Sequence, residues 1–351
     1  MVYVHVPFCG SFCVYCAFYS EIVGTPGYAG GDVVASCQAS TGHPILSYIK
    51  DLCREAAGRR DEIAASSAVP TLYIGGGTPS LLSAADIKLI ADAVGGGPWS
   101  EFTVEVNPED IVSKGEAYVR ELLEAGVNRI SMGVQSLDDG VLRWMCRRHN
   151  AETARNAYSI LRNAGVGNIS IDIISGIGGF PDECLEKTVS EILTWQPEHI
   201  SAYQLGVDEG SALEEIVDAG RWQEAPEEQC RSQYEFLCKT LGEAGYRHYE
   251  ISNWALPGKE SVHNSSYWKR VPYVGLGPGA HSFRILPDGT QLRSWNSRQT
   301  SGWSAESEIL SPEEIREETL MLGLRTAEGV GGRKIPESDW FVADSIIASL
   351  L

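Results

Sequence analysis

A chain of 351 residues with 43% hydrophobic content can bury a large core, which excludes a disordered protein and suits one barrel-sized domain with a smaller appendage. Its 28 Lys and Arg against 47 Asp and Glu leave a formal charge of -19, which argues against nucleic acid or an anionic membrane as the partner. No apolar run approaches the roughly 20 residues of a membrane span, and an apolar strand beginning at Val2 leaves no room for a cleavable signal. Nine cysteines, an odd and mostly scattered set, do not form a secreted disulfide framework, so the expected location is cytoplasmic.

Val2–Val6 reads as the first strand, and directly after it Cys9, Cys13 and Cys16 place three thiols within eight residues. One irregular turn can aim all three at a common point, as an iron–sulfur cluster or a zinc ion requires; His5 or a distant histidine would complete a zinc site. A four-iron cubane held by only three protein thiolates keeps one iron open to a substrate. Cysteines that merely pack as small apolar side chains are the plain alternative. Gly24–Thr41, rich in Gly, Ala and Ser, reads as a mobile surface insertion.

Further strand patterns fall at Thr71–Ile74, Phe102–Val106, Asn128–Gly133, Asn168–Ile174 and His199–Leu205. Helical patterns separate them at about Ile45–Arg59, Ala84–Val94, Ser113–Ala125, Ala151–Ala164 and Asp182–Trp195. Strict alternation predicts an α/β fold, a parallel sheet with right-handed crossovers forming a partial (βα)6 TIM-like barrel. After strand six come helices near Ser211–Asp218 and Pro226–Glu243, a short strand Tyr246–Ile251 and a loop-rich segment. The expected division is therefore a barrel over residues 1–210 and a smaller C-terminal α+β domain over 211–351.

In such a barrel the carboxyl ends of the strands meet on one face, where function sits. The cysteine loop, Gly75-Gly76-Gly77-Thr78-Pro79, Glu105-Val106-Asn107-Pro108, Gln135, Asp172 and Tyr203-Gln204 all fall there. Three glycines let a backbone approach a ligand closely, or simply make a strand–helix turn. The pattern matches neither a dinucleotide fingerprint nor a P-loop. Glu105 and Asp172 on apolar strands need partners: ribose hydroxyls, an ammonium group, Arg147 or a structural ion pair. Gln135 reads as a buried hydrogen-bonding amide. Later, His263-Asn264-Ser265-Ser266-Tyr267-Trp268 sets a histidine among aromatics, which suits either heme or ordinary packing.

Taken in order, these letters resemble the radical S-adenosylmethionine superfamily, and within it the HemN/HemW group. The resemblance runs from Tyr3–Cys9 through Gly75–Pro79, Asn128–Ser136 and Ile200–Leu205 to Tyr249–Ser252 and His263–Trp268. It implies a 4Fe-4S cluster held by Cys9, Cys13 and Cys16, whose fourth iron binds the amino and carboxylate groups of S-adenosylmethionine. Reduction would then cleave the sulfonium to methionine and a 5′-deoxyadenosyl radical. Tyr3, Gly76, Gly77, Thr78 and Glu105 match contacts of that cofactor, with Tyr15 neighbouring through its backbone. Gln135, Arg147 and Asp172 match positions that touch a second cofactor molecule in the coproporphyrinogen dehydrogenase branch.

That branch resembles a Cys-x3-Cys-x2-Cys-x-Cys pattern, whereas Phe18 stands here where its fourth cysteine would be, as in the HemW branch. The resemblance thus implies a heme chaperone that binds heme and passes it to acceptor proteins, with His263 as heme ligand or ligand-positioning residue. An oxygen-independent coproporphyrinogen III oxidase making protoporphyrinogen IX is the alternative, and a zinc-stabilised, non-catalytic barrel binding protein partners is a third. Expected partners are heme or a porphyrin, heme-accepting proteins and an electron donor such as flavodoxin or ferredoxin. Several features depart from the family: Gly176-Ile177-Gly178-Gly179-Phe180-Pro181 replaces its usual Gly-Leu-Pro-Gly-Gln-Thr, Cys146 stands where a glycine often precedes Arg147, and the Gly24–Thr41 insertion is unusual. Beyond Leu324–Gly329, family members run on into a longer helical, winged-helix-like end.

Overall fold

The structure is a computed structural model and describes residues 1–23 and 44–351; the insertion expected at Gly24–Thr41, with Cys37, lies outside the described residues. The six expected strands form as β1 (Val2–Val6), β2 (Thr71–Gly76), β3 (Glu101–Val106), β4 (Arg129–Gln135), β5 (Ile169–Ser175) and β6 (His199–Gln204). They pair in that order, all parallel, with Val4 beside Ile74, Ile74 beside Val104, Val104 beside Ile130 and Ile171 beside Ile200. Helices Pro44–Gly58, Ala84–Ala93, Pro108–Glu124, Ala151–Ala164 and Asp182–Trp195 fill the crossovers. This is the expected partial barrel, built on a sheet that stays open.

Side chains alternate across a strand with a period of two, and here the two sets differ in chemistry. Leu72, Ile74, Phe102, Val104, Ile130, Met132, Ile171 and Ile200 are fully buried and share one core with helix residues Ile87, Val119, Leu161 and Val189. Each such burial contributes roughly 1.5–3 kcal/mol. The other set, Tyr73, Glu105, Arg129, Ser131, Asp172 and Ser201, is polar and faces a hollow interior. A barrel interior is ordinarily filled by branched apolar side chains. Here it is left open, and that opening is the site.

Local signals set most helix ends. Ser83 and Asp86 make a reciprocal capping box, Asn150 accepts from the Thr153 amide, and Gly165 ends its helix at φ 101. The helix expected over Ser113–Ala125 begins earlier, at Pro108, where proline suits the first turn; Gly115 breaks it locally at φ 69 and ψ -173. Helix Asp139–Trp144, not foreseen, carries the chain from β4 towards Arg147.

The boundary expected near Gly210 does not separate two sheets. β7 (Arg247–Glu250) and β8 (Asn253–Ala255) extend the barrel sheet antiparallel beyond β6, while β9 (Val274–Leu276) adds in parallel beside β1. Only β10 (His281–Ile285), β11 (Gln291–Asn296) and β12 (Ala305–Ile309) form a separate antiparallel sheet. Glu55, on the helix after the insertion, fastens this region to the barrel by accepting from Gly277 N at 2.9 Å, Asn296 Nδ2 at 2.8 Å and Trp303 Nε1 at 2.9 Å.

Candidate functional site

The cysteine loop is held from several sides. Phe8–Cys9 pairs with Glu21–Ile22, Val14 N donates to Met145 O at 3.2 Å, and Leu213 N donates to Val14 O at 2.8 Å. Gly77 N and Thr78 N donate to Val6 O and Phe8 O at 2.8 and 2.7 Å, so the glycine turn after β2 is tied to the loop after β1. A Cβ on Gly77 would lie 2.5 Å from Phe8 O, and one on Gly76, where φ is 105, would lie 2.6 Å from His5 Nδ1. Only glycine permits that approach. Thr78 Oγ1 donates to Cys9 Sγ at 3.5 Å.

All three thiols are free and line one cavity of about 400 Å³ at the carboxyl ends of the strands. No trio of His, Cys, Asp or Glu side chains among the described residues converges as tightly as a single ion requires. A single zinc would bring its thiolates within about 4 Å of one another, whereas a cubane spreads them over separate irons.

The Arg147 guanidinium is the polar hub. It donates to Cys13 Sγ at 3.3 Å, Asn107 Oδ1 at 2.8 Å and Gly133 O at 2.9 Å. Gly133 makes room for it, since a Cβ there would lie 3.3 Å from Arg147 Nη2. Two residues flanking this hub have left-handed backbones: Cys146 at φ 59 and Gln135 at φ 66, the latter beside an irregularity in the β4–β5 register. Such geometry is costly for any residue but glycine, and explains why a glycine suits the position before Arg147.

Deeper in, Glu105 accepts from the Tyr73 hydroxyl at 2.7 Å and from Gly76 N at 3.1 Å. Burial, reinforced by the nearby Asp172 charge, pushes its carboxyl up to about 7 despite those bonds and Arg129. Burial also raises Asp172, which accepts from Ser131 Oγ at 3.1 Å and Ser170 Oγ at 3.3 Å. Arg129 lines the cavity with its Nε and Nη1 unpartnered among the described residues. The cavity thus offers three thiols at its mouth, a glycine cradle beside them, and carboxylates below that gain from hydroxyl or ammonium donors. These residues fit a cluster with an open iron and the amino, carboxylate and ribose groups of S-adenosylmethionine.

Of the residues expected from sequence, Cys9, Cys13, Tyr15, Cys16, Gly76, Gly77, Thr78, Glu105, Gln135, Arg147 and Asp172 meet in this cavity. Tyr3 does not; its hydroxyl lies 3.0 Å from His5 Nδ1 and its ring faces a second cavity. His263 needs correction as a heme ligand. It is fully buried, with Nδ1 2.8 Å from Thr71 Oγ1 and Nε2 2.9 Å from the Tyr267 hydroxyl, so neither nitrogen is free for iron. Burial, with the Met1 ammonium and Arg129, holds its imidazole down to about 3. A positioning role remains. Sequence reading missed Arg129 and Tyr73, although Arg129 shares the alternate positions of β4 with Ser131, Gly133 and Gln135, and that polar stripe was the available signal.

The Radical SAM superfamily model matches residues 3–192. The chain is 31% identical to the heme chaperone HemW of Lactococcus lactis over 93% of its own length and 82% of that protein. It is 30% identical to the heme chaperone HemW of Bacillus subtilis, over 99% and 89%. The mitochondrial radical S-adenosyl methionine domain-containing protein 1 of Danio rerio is 31% identical, over 94% and 73%. Among solved structures, the coproporphyrinogen III oxidase (HemN) of Escherichia coli superposes with a TM-score of 0.70 at 20% identity, covering 93% of this chain and 75% of that one. At that identity the likeness speaks for the fold alone.

Proposed function

The chain belongs to the radical SAM superfamily, in the group of the HemW proteins, and from that premise we propose that it is a heme chaperone that binds heme and transfers it to acceptor proteins. One observation carries the reading: similarity at 30–31% extends over 93–99% of the chain to proteins named for heme delivery. Phe18, in place of a fourth cysteine, agrees with it.

When bound, the cluster and S-adenosylmethionine supply one-electron chemistry. Cys9, Cys13 and Cys16 would hold the cluster, and Arg147 donates a hydrogen bond to Cys13 Sγ. Gly76 and Gly77 leave space for the cofactor against the backbone, and Glu105 and Asp172 accept from its donors. A one-electron donor such as flavodoxin or ferredoxin serves the cluster. No helix among the described residues is long and apolar enough to cross a membrane, and we place the protein in the cytoplasm.

Anaerobic reconstitution tests the premise: about four irons and four sulfides per chain are expected, lost in Cys13→Ala. Zinc without sulfide would point to a metal-stabilised barrel instead. Parallel assays of one preparation then separate the remaining readings. Heme transfer to an apo-acceptor supports the chaperone; conversion of coproporphyrinogen III to protoporphyrinogen IX with stoichiometric 5′-deoxyadenosine overturns it.

A further inference from the structure

A second cavity, of about 410 Å³, opens between β1, the residues after Cys16 and the start of β10, lined by Phe18, Tyr19, Tyr267, Tyr273, His281 and Arg298. We infer that this cavity, and not His263, receives the heme iron, with His281 as its ligand and Arg298 as the partner of a propionate. The inference rests on the heme-chaperone reading and gives it a site.

His281 stands apart from the other described histidines. His5, His149, His199, His248 and His263 each commit at least one ring nitrogen to a hydrogen bond, whereas His281 commits neither among the described residues. Its ring is exposed at the cavity and stacks at 6.2 Å from Trp295, its register partner on β11. Its position is fixed. Gly275 N donates to Ser282 Oγ at 2.9 Å, Arg59 Nη1 donates to Gly275 O at 2.7 Å, and Asn296 Nδ2 donates to Gly277 O at 2.8 Å.

Arg298 has no carboxylate partner among the described residues, in a chain whose formal charge is -19. A Cβ on Gly279 would lie 3.7 Å from Arg298 Cγ and 3.8 Å from Tyr19 Cβ, so Arg298 and Tyr19 approach each other over a residue without a side chain. A planar guanidinium binds a carboxylate in two-point fashion. Aromatic faces make up much of the remaining wall. Tyr267 and Tyr273 pack edge to face at 4.7 Å, and Phe18 is 70% exposed, an apolar surface that a flat macrocycle would cover. A cavity of this size lies within the roughly 300–1,000 Å³ usual for ligand sites. A porphyrin seated here would keep one edge in solvent, as cargo awaiting release must.

The geometry also gives the His263–Trp268 segment a role without iron. His263 fixes the hydroxyl of Tyr267, whose ring lines the cavity, so His263 acts as a positioning residue. Ala17, Phe18, Gly76 and Glu105 border both cavities, which sets the heme beside the cofactor and not within its pocket.

The test titrates hemin, and separately iron-free protoporphyrin IX, into the cluster-loaded full-length chain, following the Soret band and tyrosine and tryptophan quenching. The wild-type chain should bind both. His281→Ala should weaken hemin by about tenfold or more and change its Soret maximum, leave protoporphyrin affinity unchanged, and recover the wild-type spectrum with added imidazole. Arg298→Gln should weaken both ligands and keep the hemin spectrum. Cluster content and thermal melting of each variant report whether it folds. If the wild type binds hemin and His281→Ala leaves affinity and spectrum intact, the site assignment fails while the chaperone reading stands. If the wild type binds no hemin, both fall.

Discussion

Replacing Glu105 by glutamine tests the electrostatics of the hollow interior directly. The Glu105 carboxyl is raised from 4.5 to about 7, so in the folded chain it keeps its proton over a window where the unfolded chain has lost it. Stability linked to this group is therefore greatest below about 4.5 and declines as pH rises towards 7, with the full cost present above that. A shift of 2.5 units (7 minus 4.5) corresponds to about 3.4 kcal/mol, an upper figure because one side of Glu105 faces the open cavity. The share that develops between about pH 6 and pH 8.5 is about 1.4 kcal/mol. Glutamine carries no such dependence, although it loses one acceptor, towards Gly76 N or the Tyr73 hydroxyl, at a pH-independent cost of about 1–3 kcal/mol. Urea unfolding of both chains without S-adenosylmethionine gives the difference at each pH. The stability of the wild type relative to Glu105→Gln should fall by about 1 kcal/mol across that range. A difference that stays flat, or rises with pH, would show that Glu105 is already ionised and would refute the argument.

Two further substitutions probe the loops around the thiols. Cys146→Gly should stabilise the chain by about 0.5–1 kcal/mol in urea unfolding, because it relieves a left-handed backbone at φ 59 and only part of that gain is returned to the more flexible unfolded chain. A loss of stability would mean that the Cys146 side chain makes a contact outweighing the strain. Gly77→Ala should cost about 1–3 kcal/mol and lower reconstituted iron and sulfide, since its Cβ meets the Phe8 and Val6 carbonyls at 2.5 and 2.9 Å, both backbone. Gly167→Ala, with nothing within 4 Å, is the matched control, and equal cluster content in the two variants would count against the glycine cradle.

What could be read from the letters and what could not divide along physical lines. The six parallel strands were legible because Val2–Val6, Thr71–Ile74 and their successors are short apolar runs separated by amphipathic helices. The mouth of the site was legible because Cys9, Cys13 and Cys16 are adjacent in sequence, so spacing alone carries the chemistry. The interior was legible only in part: Glu105 and Asp172 stood out as carboxylates on apolar strands, whereas Tyr73 and Arg129 join them through the register of neighbouring strands, which no single segment encodes. The C-terminal residues misled for a related reason. β9 has only three residues, and its pairing with β1, across more than two hundred residues of chain, leaves no local mark. His263 looked like a ligand because sequence shows a residue type and not whether its nitrogens are already occupied.

The sheet has a further consequence for how the chain can be divided. Because β9 covers the outer edge of β1 and β8 that of β6, a fragment ending near Gly210 would expose two rows of unpaired backbone donors and acceptors. Bare strand edges of that kind recruit other chains, so such a fragment is a candidate for aggregation and not a minimal cluster-binding unit. β1, which leads into the cysteine loop, is bordered on that side by residues made late, and its sheet environment is complete only after synthesis has passed Leu276.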